Sequence, residues 1–96
     1  MERIQFGKTD LLVPPVAVGT FQLGGDYFGP MDDGQAIATI HVAIEAGFNF
    51  IDTAPNYGDA EVRVGKAISD RRDKVILATK CGNFKYPGTR GLMAEF

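Results

Sequence analysis

The chain is short of several residue types, and each shortage excludes something. Its 96 residues hold one cysteine, Cys81, so no disulfide can close within the chain. The single histidine, His41, and the absence of any His/Cys/carboxylate cluster leave no metal-ligand pattern. No apolar run approaches the roughly 20 residues of a membrane-spanning helix. Lysine and arginine are scattered, and the net charge is -2, so neither nucleic acid nor an acidic membrane surface is expected as a partner. There is no signal-like opening, and a cytoplasmic location is expected. No GxGxxG occurs, so a Rossmann reading lacks its fingerprint. Gly65-Lys66 is no phosphate loop either, because Ala67 stands where Ser or Thr is required.

What is present is an alternation of apolar runs and helical periods. Residues 1–13 read as a β-hairpin turning at Gly7-Lys8-Thr9-Asp10. After Pro14-Pro15, Val16 to Val18 is a short strand expected to be buried on both faces, ending at Gly19-Thr20. Phe21 to Met31 reads as a loop. Asp32, with Gln35 three positions on, resembles a capping box for a helix whose face carries Ile37, Ile40 and Ile44, closed by Gly47. Phe48 to Ile51 is a second strand, ending on Asp52. A loop over residues 53–58 leads to a helix from Asp59 to Ser69, with Val64, Gly65 and Ile68 expected on one side. Arg71-Arg72 reads as part of a solvated connection. Val75 to Thr79 is a third strand, closed by Lys80, and residues 81–96 read as an irregular loop. Strands alternating with helices imply a parallel α/β sheet.

In such sheets ligands bind beyond the carboxyl ends of the strands. Gly19-Thr20, Asp52 and Lys80 all fall there, with Tyr57 in the adjoining loop. By strand alternation Phe50 faces the same way as Asp52, and Ile76 and Ala78 the same way as Lys80. The three polar residues can therefore cap one apolar interior. A phenol is a weak acid at neutral pH, and a neighbouring ammonium eases its ionisation. A carboxylate keeps that ammonium charged and oriented. Together they make a proton-transfer set suited to a carbonyl being reduced, with the hydride supplied by a nicotinamide cofactor. Each residue also has a structural reading: Asp52 as a strand-end cap, Tyr57 as a packed ring, Lys80 as a solvated strand end. His41 reads as a packing residue at the helix edge, and Cys81 as unreactive.

The joined segments GFNFIDTAPNYG, GDAEVRVGKAI and VILATK resemble the aldo-keto reductase family, as does the opening FGKTDLLVPPVAVGTFQLGG. The wording around Asp52 is most similar to its bacterial aldose-dehydrogenase and stress-protein branch. The resemblance implies a (β/α)8 TIM barrel with a hairpin at its base. It implies an NAD(P)H-dependent oxidoreductase, usually with NADPH and with NADH as the other option, acting on aldehydes, ketones or sugars. It assigns Asp52, Tyr57 and Lys80 to the catalytic set, with Tyr57 as general acid/base, and places Gly19, Thr20, Phe21 and Asp52 at the cofactor. One departure is that Ala60 stands where a serine usually begins the helix; Asp59 is expected to serve as cap instead. Another is that the family's catalytic histidine, on the next strand, has no counterpart up to Phe96.

A barrel of this kind takes about 250 residues. Residues 1–96 are thus expected to form the N-terminal part of one such domain, with hairpin 1–13, β-α-β-α-β over 16–80 and loop 81–96. By itself this piece is expected to be inactive and prone to self-association. A regulatory or cofactor-sensing subunit on the same scaffold is the alternative.

Overall fold

A computed structural model describes residues 1–25 and 29–81. From residue 82 onward the expected loop 81–96 lies outside the described residues, as do positions 26–28 of the first loop. Strands β1 (Ile4–Gln5) and β2 (Leu12–Val13) pair antiparallel, Ile4 opposite Val13. The turn between them is tied by Thr9, whose hydroxyl donates to the Phe6 carbonyl at 2.6 Å.

Three parallel strands follow: β3 (Val18–Gly19), β4 (Phe50–Asp52) and β5 (Ile76–Ala78), in that spatial order. Gly19, Asp52 and Ala78 lie in register across the sheet, so the strand ends line up. Helices α1 (Asp33–Glu45) and α2 (Ala60–Ile68) make the crossovers. The chain is therefore an α/β unit, a hairpin followed by three parallel strands of the (β/α)8 type.

The core lies between the helices and one face of the sheet. Ala36 and Ile40 of α1, Val64, Ala67 and Ile68 of α2, and Ile51 of β4 are buried together, with Leu77 packed against them. Fully burying the valine and isoleucine side chains among them contributes about 1.5–3 kcal/mol each, and the alanines less. The other sheet face carries Phe50, Asp52, Ile76 and Ala78, all half-buried. Phe6 of the hairpin meets Phe50 edge-on at 5.6 Å, and Arg3 hydrogen-bonds Asn49. The hairpin thus sits under the amino ends of the strands, opposite Asp52.

Several sequence expectations are corrected. The first strand is Val18–Gly19 rather than 16–18, and Val16 is 58% exposed. Pro14 and Pro15 lack backbone N–H donors, so the ladder begins only beyond them. The expectation of two-sided burial fails because helices cover only one face among the described residues. Part of the 21–31 loop is a 3₁₀ turn, Phe21–Gly24. A second such turn, Arg72–Lys74, occupies the connection before β5, and Arg71 is half-buried against Asp70. Gly65 is exposed and off the buried face of α2, where Ala60 and Ala67 take part instead.

The α1 cap is as expected: the Asp32 carboxylate accepts from the Gln35 amide at 2.7 Å. Gly47, at φ +100°, closes that helix in a conformation other residues resist. The Asp59 side chain, by contrast, caps nothing.

Candidate active site

Asp52 ends β4, and Lys80 lies two residues past β5. Parallel pairing sets Asp52 beside Ala78, which brings the Lys80 side chain back over the strand end. Its ammonium donates to both carboxylate oxygens of Asp52, at 2.9 and 3.1 Å, and to the Thr53 carbonyl at 3.1 Å. The two side chains are 47% and 37% exposed. A pair this open contributes only about 0–1 kcal/mol, so its main consequence is orientation.

That orientation carries Lys80 Nζ to 4.9 Å from the centre of the Tyr57 ring. Hydrogen bonding to Asp52 raises the Lys80 pKa above the ordinary lysine value. Partial desolvation opposes the rise, and the Tyr57 hydroxyl adds to it. The ammonium is therefore charged across the neutral range and sits against the phenol. Asp52, Tyr57 and Lys80, spread over 29 positions of the chain, meet at one rim.

The neighbouring strand end completes the rim. Phe21 meets Tyr57 edge-on, with ring centres 5.0 Å apart. Gly19 is exposed, and a side chain there would meet nothing within 4 Å. Thr20 is fully buried, and its hydroxyl donates to the Asp52 carbonyl at 3.0 Å. It braces β3 against β4 rather than presenting its side chain at the surface. The exposed Gly19 strand end, the Phe21 ring and the half-exposed Asp52 carboxylate thus lie side by side at the carboxyl ends of β3 and β4.

Two contributors had no signal in the sequence pattern. Thr53 acts through its backbone carbonyl, which every residue possesses. Glu61, in the first turn of α2, accepts from the Thr79 hydroxyl at 2.5 Å and ties that helix start to the end of β5. His41 is not at this site. Its Nε2 lies 2.7 Å from the Ala67 carbonyl, at the far end of α2. A hydrogen bond across the two helices thus replaces the simple packing expected of it. Cys81 is exposed and unpaired. Among the described residues no helix is long and apolar enough to cross a membrane.

The model of the Aldo/keto reductase family matches residues 15–95. Aldo-keto reductase YhdN of Bacillus subtilis is 42% identical over 84 residues, covering 83% of this chain and 25% of that protein. The NADH-specific methylglyoxal reductase of Escherichia coli is 40% identical over 87 residues, covering 85% of this chain and 27% of that protein. Among solved structures, the holo form of an aldo-keto reductase from Bacillus halodurans superposes with a TM-score of 0.79 at 36% identity. That match covers 95% of this chain and 29% of the other. The chain thus spans about a quarter of the length of the curated relatives it matches.

Proposed function

The chain belongs to the aldo/keto reductase family, and from that premise we propose that it supplies the first part of a nicotinamide-dependent carbonyl reductase. One observation carries the reading: a lysine ammonium clamped by both oxygens of Asp52 and held against the ring of Tyr57.

When bound, the nicotinamide cofactor supplies the hydride that reaches the carbonyl carbon. The remaining work falls to this chain's side chains. Tyr57 donates its hydroxyl proton to the carbonyl oxygen as negative charge grows there, and the alcohol leaves with both hydrogens. Lys80 stabilises the resulting phenolate, which takes a proton back from solvent. Asp52 keeps Lys80 charged and aimed. In the oxidative direction the same groups run in reverse, with Tyr57 as base. Gly19, Phe21 and Asp52 line the edge where the nicotinamide would sit, and Thr20 holds Asp52's strand end in place. Substrates are small aldehydes, ketones or sugar carbonyls. NADPH is the expected cofactor and NADH the alternative, and the NADH-specific relative keeps that alternative open.

Residues 1–96 in this reading are the hairpin and first three strands of one barrel domain, and the remaining strands belong to a complete reductase chain. Tyr57→Phe in that complete chain tests the mechanism. General acid catalysis contributes about 10²–10⁴-fold, so carbonyl reduction should fall by that factor with cofactor affinity retained. Unchanged turnover would remove Tyr57 as the proton donor. Saturable cofactor binding with negligible turnover in the unaltered protein would instead favour a cofactor-sensing subunit.

A further inference from the structure

Asp52 and Lys80 orient one another, and Lys80 meets the Tyr57 side chain, but the backbone that carries Tyr57 is held elsewhere. Its loop between β4 and α2 has local backbone bonds, Tyr57 N–H to the Ala54 carbonyl at 3.2 Å and Ala60 N–H to the Tyr57 carbonyl at 3.0 Å. The outer brace is the 3₁₀ turn Phe21–Gly24. Gly24 is packed so tightly there that a Cβ would fall 1.9 Å from the Tyr57 carbonyl oxygen. The Gly24 carbonyl accepts from the Asp59 amide at 3.1 Å, and Phe21 abuts the Tyr57 ring.

That turn is itself held from outside. Arg63 of α2 donates through Nη1 to the Leu23 carbonyl at 2.7 Å and through Nε to Asp33 at 3.0 Å. Its side chain is only 11% exposed, and Asp59 lies 3.9 Å from its other terminal nitrogen. Lys66 takes the second oxygen of Asp33. Hydrogen bonds from Lys66, and then from Arg63, lower the Asp33 pKa against partial desolvation, which keeps it an anion at neutral pH.

We infer that Arg63 is a positioning residue for Tyr57: it spans from the start of α1 to the turn Phe21–Gly24 and pins that turn against the loop that carries the phenol. A strut between α1 and α2 needs only the bond to Asp33. The second bond, to the Leu23 carbonyl, reaches the element that touches Tyr57. A planar guanidinium can serve both partners in fixed directions, whereas an ammonium is a point charge on a flexible stem. Misplacing a reacting group by about 1 Å can cost about 100-fold in rate. The inference rests on the role proposed for Tyr57.

The test uses the complete reductase chain with Arg63→Lys, Gly24→Ala and Tyr57→Phe, singly and combined. Arg63→Lys should retain the fold by circular dichroism. Its kcat should fall about 10- to 100-fold, with a displaced pH profile of kcat. Gly24→Ala should act in the same direction. In the Tyr57→Phe background either change should reduce the residual rate by less than about 2-fold, since groups acting as a unit are not additive. Wild-type kcat and pH profile in Arg63→Lys would overturn the inference, as would a loss that multiplies in full when Tyr57 is already phenylalanine. Should Arg63→Lys fail to fold, Arg63→Met, which keeps an apolar stem but loses the bond to the Leu23 carbonyl, is read by the same criteria. If Tyr57→Phe alone leaves turnover intact, the proposed function falls and takes this inference with it. A silent Arg63→Lys beside an inactive Tyr57→Phe overturns the inference only.

Discussion

Lys80 divides its ammonium hydrogens between a carboxylate and a main-chain carbonyl, and these differ in how visible they are in sequence. Asp52 and Lys80 each close an apolar run, where a charge is costly unless it meets a partner. The Thr53 carbonyl carries no such mark. Because Asp52 raises the Lys80 pKa, the pair's stabilisation is complete below the ordinary lysine range of about 10.4 and is lost as pH climbs through the raised value. The difference in urea midpoint between the unaltered protein and Lys80→Met should therefore stay flat from about pH 7 to 9 and shrink above about pH 10.5. A difference that shrinks near neutrality would contradict the pairing. The Thr53 hydroxyl is a separate case: it is buried, with no partner among the described residues. Thr53→Val should leave stability unchanged or raise it by about 1 kcal/mol, with activity kept, since the carbonyl on Lys80 remains. A clear drop in Tm would reveal a partner for that hydroxyl.

The two helices start differently. Asp32 caps α1 with its side chain, and Asp32→Ala should cost about 1 kcal/mol, measurable as a lower urea midpoint. Asp59 makes no cap bond, so Asp59→Ala should cost clearly less. Equal losses would refute this reading of the helix starts. The first cap was legible because Asp32 and Gln35 stand at capping distance. The second was misread because the α2 entry is set by backbone groups, the distant Gly24 carbonyl on Asp59 N–H and the local Tyr57 carbonyl on Ala60 N–H. Strand order and type followed from the apolar runs, but their ends shifted by one or two residues. Such ends depend on which backbone groups find a partner, and Pro14-Pro15 delays the first pairing.

At the scale of the molecule, the sheet is covered by helices on one face only among the described residues. Among the described residues β3 and β5 each have a strand neighbour on one side. Phe50, Ile76 and Ala78 lie on the less covered face, and Leu12 and Val16 are exposed near the hairpin. Open strand edges beside apolar surface template pairing with other chains. The 96-residue chain by itself should therefore self-associate in sedimentation experiments and show no carbonyl reduction with NADPH. A monodisperse monomer that turns over substrate would contradict the proposal that further strands complete the domain.

The order of residues determined the alternation of strand and helix, the cap and closing glycine of α1, and the three polar positions at the strand ends. These are local matters of period, turn chemistry and the cost of stranding a charge, so they can be read along one dimension. Only the folded arrangement decided that Thr20 is an internal brace, that a main-chain oxygen shares Lys80, and that Arg63 reaches the turn beneath Tyr57. Those contacts join segments up to 40 positions apart, and several run through backbone atoms that every residue carries alike.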